Sequence, residues 1–107
     1  MAWVQIQFTI DDPSRADAMV DDLLARRLVA CGQRMGPVVS RYWWKGVIER
    51  SEEWMVVLKT RTELVNRVFD AVLAAHPYET PELVSFDIDH GAPDYLRWIG
   101  EVTAPSP

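Results

Sequence analysis

The sequence predicts an α+β fold, one antiparallel sheet with both main helices on a single face. Three observations point there. Four segments carry the period-2 or continuous apolar pattern of strands, and two carry an apolar stripe at helical spacing. They alternate as β-α-β-β-α-β, followed by a short third helix, which is a layered order rather than a βαβ repeat.

Val4, Ile6, Phe8 and Ile10 alternate with Trp3, Gln5, Gln7 and Thr9 and read as the first strand. Asp12-Pro13 supplies a helix start, with Asp12 as N-cap and Pro13 at the first helical position. Ala16, Met19, Val20, Leu23, Leu24 and Leu28 form the stripe, which extends to about Val29. Arg26 and Arg27 suit the last turns, and Gly32 is the expected stop. Gln33 to Lys45 reads as a long strand that must bulge, bend or lie at an edge at Gly36-Pro37. Gly46 is the turn, and Val47 to Arg61 returns, with Val56, Val57 and Leu58 at its buried centre. Glu49, Arg50, Ser51, Glu52 and Glu53 are expected to be solvated near the tip. Thr60-x-x-Glu63 predicts a capping box opening the second helix. That helix carries Leu64, Val65, Val68, Phe69, Val72 and Leu73, with His76 on the same face. Val84, Phe86 and Ile88 alternate with Leu83, Ser85 and Asp87 as the fourth strand. Pro93 starts the third helix, with Tyr95, Leu96, Trp98 and Ile99, and residues 103–107 are expected to fray.

The first six elements are the split βαβ arrangement of a ferredoxin-like fold, in a single domain over residues 1–107. The two middle strands run far beyond the usual roughly 5–6 residues. Such strands overhang a two-helix layer, and pairing with another subunit hides their edges. Five tryptophans exceed what one small core needs, so some are expected to face a partner subunit or a ligand.

Charge and composition narrow the function. A net charge of −5 and a pI near 4.9 exclude nucleic acid or an anionic membrane as the main partner and suit a cation, a small ligand or a protein. Cys31 is the only cysteine, so no internal disulfide forms, which fits a reducing compartment. No apolar run reaches the ~18 residues of a membrane span, and Met1-Ala2-Trp3 lacks a basic n-region. A cytoplasmic location is the expectation.

The stretch His76-Pro77-Tyr78-Glu79-Thr80-Pro81-Glu82 stands out. Its two prolines hold their preceding residues out of helical geometry, so an imidazole, a phenol and carboxylates sit in one stiff run. His76 reads either as a ligand or as a helix-end histidine bonding the last carbonyls. Cys31 reads as a small buried hydrophobe, with a thiolate role as the alternative. Asp87, Asp89 and His90 form a polar strand exit and an incomplete metal set. Tyr42, Trp43, Trp44 and Trp54 read as interface or core. Lys59, after Val56-Val57-Leu58, is expected to reach an anion, with Glu79 as its partner.

Leu28-Val29-Ala30-Cys31, Tyr42-x-Trp44-x-Gly46, Leu58-Lys59-Thr60, the heptad from His76 to Glu82, and Pro93-Asp94-Tyr95-Leu96-x-Trp98 together resemble the CutA divalent-ion tolerance proteins. The resemblance runs in order from Trp3 to about Glu101. It implies a tight homotrimer, similar in architecture to PII signalling proteins, with long hairpins pairing between subunits. It also implies a role in tolerance of copper and other divalent cations. Carried onto this chain, it places Cys31, Trp44, Lys59, His76, Tyr78, Glu79, Tyr95 and Trp98 in clefts between subunits. Three positions depart from the family pattern: Phe8 stands where some members have a cysteine proposed as a copper ligand. Ala75 stands where some double the histidine, and Ala92 precedes Pro93 where a polar cap is common. His76 is then the one metal ligand retained, and weak binding of a divalent ion such as copper is expected.

Two other readings compete with a cleft that binds a metal ion or small ligand. One is PII-like small-ligand signalling or a scaffold. The other makes Lys59, His76 and Glu79 an acid-base cluster, although no nucleophile or substrate is identified. A non-enzymatic role is the expectation.

Overall fold

The computed structural model describes residues 2–105. Its elements are β1 (Trp3–Ile10), α1 (Pro13–Ala25), β2 (Cys31–Trp44), β3 (Val47–Arg61), a 3-10 turn (Thr62–Leu64), α2 (Val65–Ala75), β4 (Leu83–Asp87) and α3 (Pro93–Val102). The sheet order is β2-β3-β1-β4 with every neighbouring pair antiparallel. This is the ferredoxin-like arrangement the element order predicts, with α3 added.

One core joins sheet and helices. Val4, Ile6, Phe8 and Ile10 of β1 and Val56 and Leu58 of β3 pack with Ala16, Met19 and Leu23 of α1 and Val68 and Val72 of α2. Burying each of the larger side chains is worth about 1.5–3 kcal/mol relative to exposure. Asp12 caps α1, its carboxylate accepting from the Ser14 and Arg15 amides at 2.9 and 3.1 Å.

The far end of α1 departs from the prediction. Leu28 N donates to Leu23 O and Arg27 N to Leu24 O, both at 3.0 Å, which is a Schellman ending. Arg27 takes the left-handed position (φ 56°), so the helix stops at Ala25, well before Gly32. Gly32 lies in β2 and serves close packing instead: a Cβ there would fall 2.6 Å from Val20 Cγ1. Thr60 is likewise no helix cap. It pairs with Val4 inside the sheet, and its hydroxyl donates to Leu28 O at 2.7 Å.

The tail is held where fraying was expected. Thr103 is buried; its hydroxyl accepts from Arg61 Nε at 2.9 Å and donates to Ile99 O at 2.8 Å, while Ala104 N donates to Arg27 O at 2.7 Å. Arg61 also bonds the Ala104 carbonyl and Glu63, fastening the end of α3 to β3. Ser106 and Pro107 lie outside the described residues.

Lys45 and Gly46 turn the hairpin with φ of 50° and 84°, the paired positive values of a type I′ turn. The ladder shifts register between Met35 and Val38, so the predicted bulge is present at Gly36-Pro37. β1 pairs with β3 only from Trp54 to Arg61. Beyond it, Val38–Trp44 and Val47–Glu53 pair only with each other and project as an arm, drawing the molecule out to 44 × 25 × 21 Å. Val39, Tyr42, Trp43, Val47 and Ile48 on that arm are exposed, Trp43 by 72%.

Candidate functional site

Pro77 ends α2 as its chemistry requires, leaving His76 extended at φ −75° and ψ 133°. The ring then turns inward. Nε2 lies 2.8 Å from Thr9 O, and Nδ1 accepts from the Tyr78 amide at 3.2 Å. A carbonyl only accepts and an amide only donates, so the imidazole is the neutral Nε2–H tautomer with both nitrogens engaged. Phe8 meets the ring edge-on at 5.8 Å and Tyr78 at 4.6 Å. His76 is thereby a buried clamp between β1 and the loop.

The clamp aims the next aromatic. Tyr78 donates its phenol proton to Glu53 at 2.7 Å. Glu53 is only 4% exposed. Burial, and then the hydrogen bond and charge of Glu53, push the Tyr78 phenol well above its ordinary range. Beside this pair lies a cavity of about 680 Å³ between the hairpin arm and the 76–82 loop, with Tyr42, Trp44, Asp11 and Glu79 among its walls. At its rim Lys45 Nζ stands 3.6 Å from Glu79 and 5.4 Å from the Trp44 ring centroid.

A second group gathers under α3. Cys31 Sγ and Tyr95 Oη are 3.6 Å apart, Tyr95 stacks on Trp98 at 5.8 Å, and Lys59 Nζ donates to Gln33 Oε1 at 3.2 Å. Burial and the Cys31 contact push the Tyr95 phenol up to about 12.

Thus one chain brings Trp44, His76, Tyr78 and Glu79 together, and separately Cys31, Lys59, Tyr95 and Trp98. Lys59 pairs with Cys31 and Gln5, six residues along β3 from Glu53 and roughly 20 Å away at about 3.3 Å per residue. The expected Lys59–Glu79 contact is therefore not made within the chain; Glu79 meets Lys45 instead. Cys31 is half-buried, not enclosed. Glu53, expected in solvent, is the buried centre of the first group. Its strand period held the signal, since Glu53 is in phase with Met55 and with buried Val57.

The donors fit a metal poorly within one chain. Both His76 nitrogens are used, Phe8 fills the first-strand position, and Cys31 is at the other end of the sheet. Among the described residues no three His, Cys, Asp or Glu side chains group closely enough to hold an ion.

The family described as CutA1 divalent ion tolerance protein matches residues 4–102. The chain belongs to the CutA1 divalent ion tolerance family. It is 36% identical over 84 residues to the protein CutA homolog of Danio rerio, covering 78% of this chain and 56% of that protein. The chain thus spans a little over half the length of that relative. It is 33% identical over 96 residues to the divalent-cation tolerance protein CutA of Salmonella newport (strain SL254), covering 90% and 84%. The solved structure of the periplasmic divalent cation tolerance protein CutA of Archaeoglobus fulgidus superposes with a TM-score of 0.90 at 34% identity, over 94% of this chain and 97% of that one. The Salmonella and Archaeoglobus relatives are named for tolerance of divalent cations. Among the described residues no helix is long and apolar enough to cross a membrane.

Proposed function

We propose that this CutA1-family chain works in divalent-cation tolerance as a cytoplasmic homotrimer, binding a small ligand or, weakly, a divalent cation in clefts between subunits. The observation that carries the cleft is buried Glu53, bonded by Tyr78 beside a cavity open to solvent. A buried carboxylate is costly to keep unless it meets a partner. The trimer reading rests on the projecting hairpin arm, whose apolar side chains and strand edges are uncovered in one chain. The cytoplasmic reading rests on the single free thiol.

Binding is favoured over catalysis because Lys59 stands apart from His76 and Glu79, so the acid-base cluster is not assembled within a chain. Light scattering tests the assembly: three chains per particle are expected at micromolar concentration, and a monomer contradicts it. Calorimetric titration tests the metal. Copper should bind more weakly than micromolar and be indifferent to Cys31→Ser. Submicromolar affinity abolished by Cys31→Ser contradicts the reading.

A further inference from the structure

Among the described residues one buried side-chain polar atom has no hydrogen-bond partner, the indole nitrogen of Trp3. An indole N–H only donates, so the partner it lacks is an acceptor. Folded chains seldom leave a buried donor unpaired, because its desolvation is then not recovered. The ring borders a cavity of about 610 Å³, within the range of small-molecule sites.

α3 supplies the facing wall with Pro93, Leu96, Arg97 and Glu101. At 3.6 residues per turn, Pro93, Leu96 and Arg97 lie on the face of α3 turned away from Tyr95 and Trp98. The cavity is therefore separate from the Cys31–Lys59 group under that helix, and none of its lining belongs to the hairpin arm. Gly91 sets how far back the wall stands. A Cβ there would fall 2.9 Å from Leu96 Cδ2, so a larger residue would displace Leu96.

The lining selects the chemistry of an occupant. Trp3 and Arg97 can only donate, and Arg97 bonds Asp94 alone among the described residues, through one of its amino groups. Pro93 and Leu96 are apolar. Glu101 is the one acid on the wall and is exposed, where water and salt screen it. Two donors beside an apolar wall match a head with two acceptor oxygens on an apolar body.

We propose that this cavity binds a small monocarboxylate with an apolar body. One carboxylate oxygen accepts from the Trp3 indole, the other from the Arg97 guanidinium, and the body lies against Pro93 and Leu96. Trp3 is half-buried and its outer side-chain torsion is a soft one, so a small turn of the ring presents the nitrogen to the cavity. The site shares no residue with the Glu53–Tyr78 cleft and is tested apart from it.

The test follows the five indole N–H resonances of the ¹⁵N-labelled full chain, that of Trp3 being the one missing in Trp3→Phe. The probes are hexanoate, hexanol, hexylammonium and acetate, which vary head and body separately. Hexanoate should shift the Trp3 resonance saturably and leave the other four nearly still. Acetate, lacking the body, should bind about tenfold more weakly or worse. Hexanol and hexylammonium should also bind more weakly than hexanoate. By calorimetry, Trp3→Phe should weaken hexanoate about tenfold. Arg97 is exposed, so Arg97→Gln keeps the fold and supplies the comparison should Trp3→Phe fail to fold; it should weaken hexanoate severalfold and leave hexanol unchanged. The proposal is overturned by a Trp3 resonance that hexanoate does not move, whether a water or a second copy of the chain already occupies the cavity. It is overturned equally by hexanoate affinity unchanged in both variants, or by hexylammonium or acetate binding as tightly as hexanoate.

Discussion

The Tyr78 phenol donates a hydrogen bond to Glu53 across 2.7 Å, joining the loop after α2 to the hairpin arm. Removing that donor leaves a carboxylate that is 4% exposed with no partner among the described residues. Tyr78→Phe should therefore destabilise the fold by about 1–3 kcal/mol. Glu53→Gln keeps an acceptor for the phenol and removes the buried charge, so it should be near neutral or stabilising. Urea unfolding midpoints of the two variants check the opposite behaviour.

Alkaline pH should weaken the fold through two tyrosines. Tyr95 is pushed up to about 12 in the folded chain, whereas an unfolded tyrosine titrates near 10. Between those values the unfolded chain loses its proton and the folded chain keeps it, so stability falls as pH rises through that window. Tyr78 acts in the same direction, its phenol being raised further. Tyrosinate absorbance at 295 nm should show the delayed titration, and Tyr95→Phe should remove its step near 12 and lessen the fall in stability, leaving the part due to Tyr78.

His76 should behave as a structural residue. Long-range ¹H–¹⁵N spectra at mildly alkaline pH should show the Nε2–H tautomer that the Thr9 carbonyl and the Tyr78 amide impose. His76→Ala strips the ring from Phe8 and leaves both backbone groups without their partner, at a cost of about 2–4 kcal/mol. Copper affinity should change little.

Arg61 fastens the end of α3, so Arg61→Ala should cost about 3 kcal/mol. The low end of the range for a broken buried pair applies because the Glu63 side chain is 37% exposed. Hydrogen exchange should speed up at Ala104, whose amide is held by Arg27 O.

What was readable from sequence was what local pattern dictates. Period-2 alternation in β1, the Asp12-Pro13 start, the Gly36-Pro37 interruption and the arm beyond β1 are all enforced by the residues themselves. Misreadings arose where one residue had two competing partners. Thr60 could cap a helix or bond Leu28 O, and the sheet register chose the latter. Gly32 could end α1, but Arg27 accepted the left-handed position first. In the site, the rigid loop and the aromatic hairpin were legible. The burial of Glu53 was signalled only by its strand phase with Val57, and its place in a polar run near a turn made it look solvated. Lys59 and Glu79 were grouped by charge alone, and sheet register separates them.

The central claim is that the chain's ligand binds at the Glu53–Tyr78 end, not under α3. Thermal unfolding of wild type, Glu53→Gln and Lys59→Ala against a panel of metal ions and organic cations measures it most directly. A ligand at ~100 times its dissociation constant should stabilise wild type by roughly 2.7 kcal/mol. The account predicts that this shift survives Lys59→Ala and is lost in Glu53→Gln. A shift that survives Glu53→Gln and is lost in Lys59→Ala contradicts it.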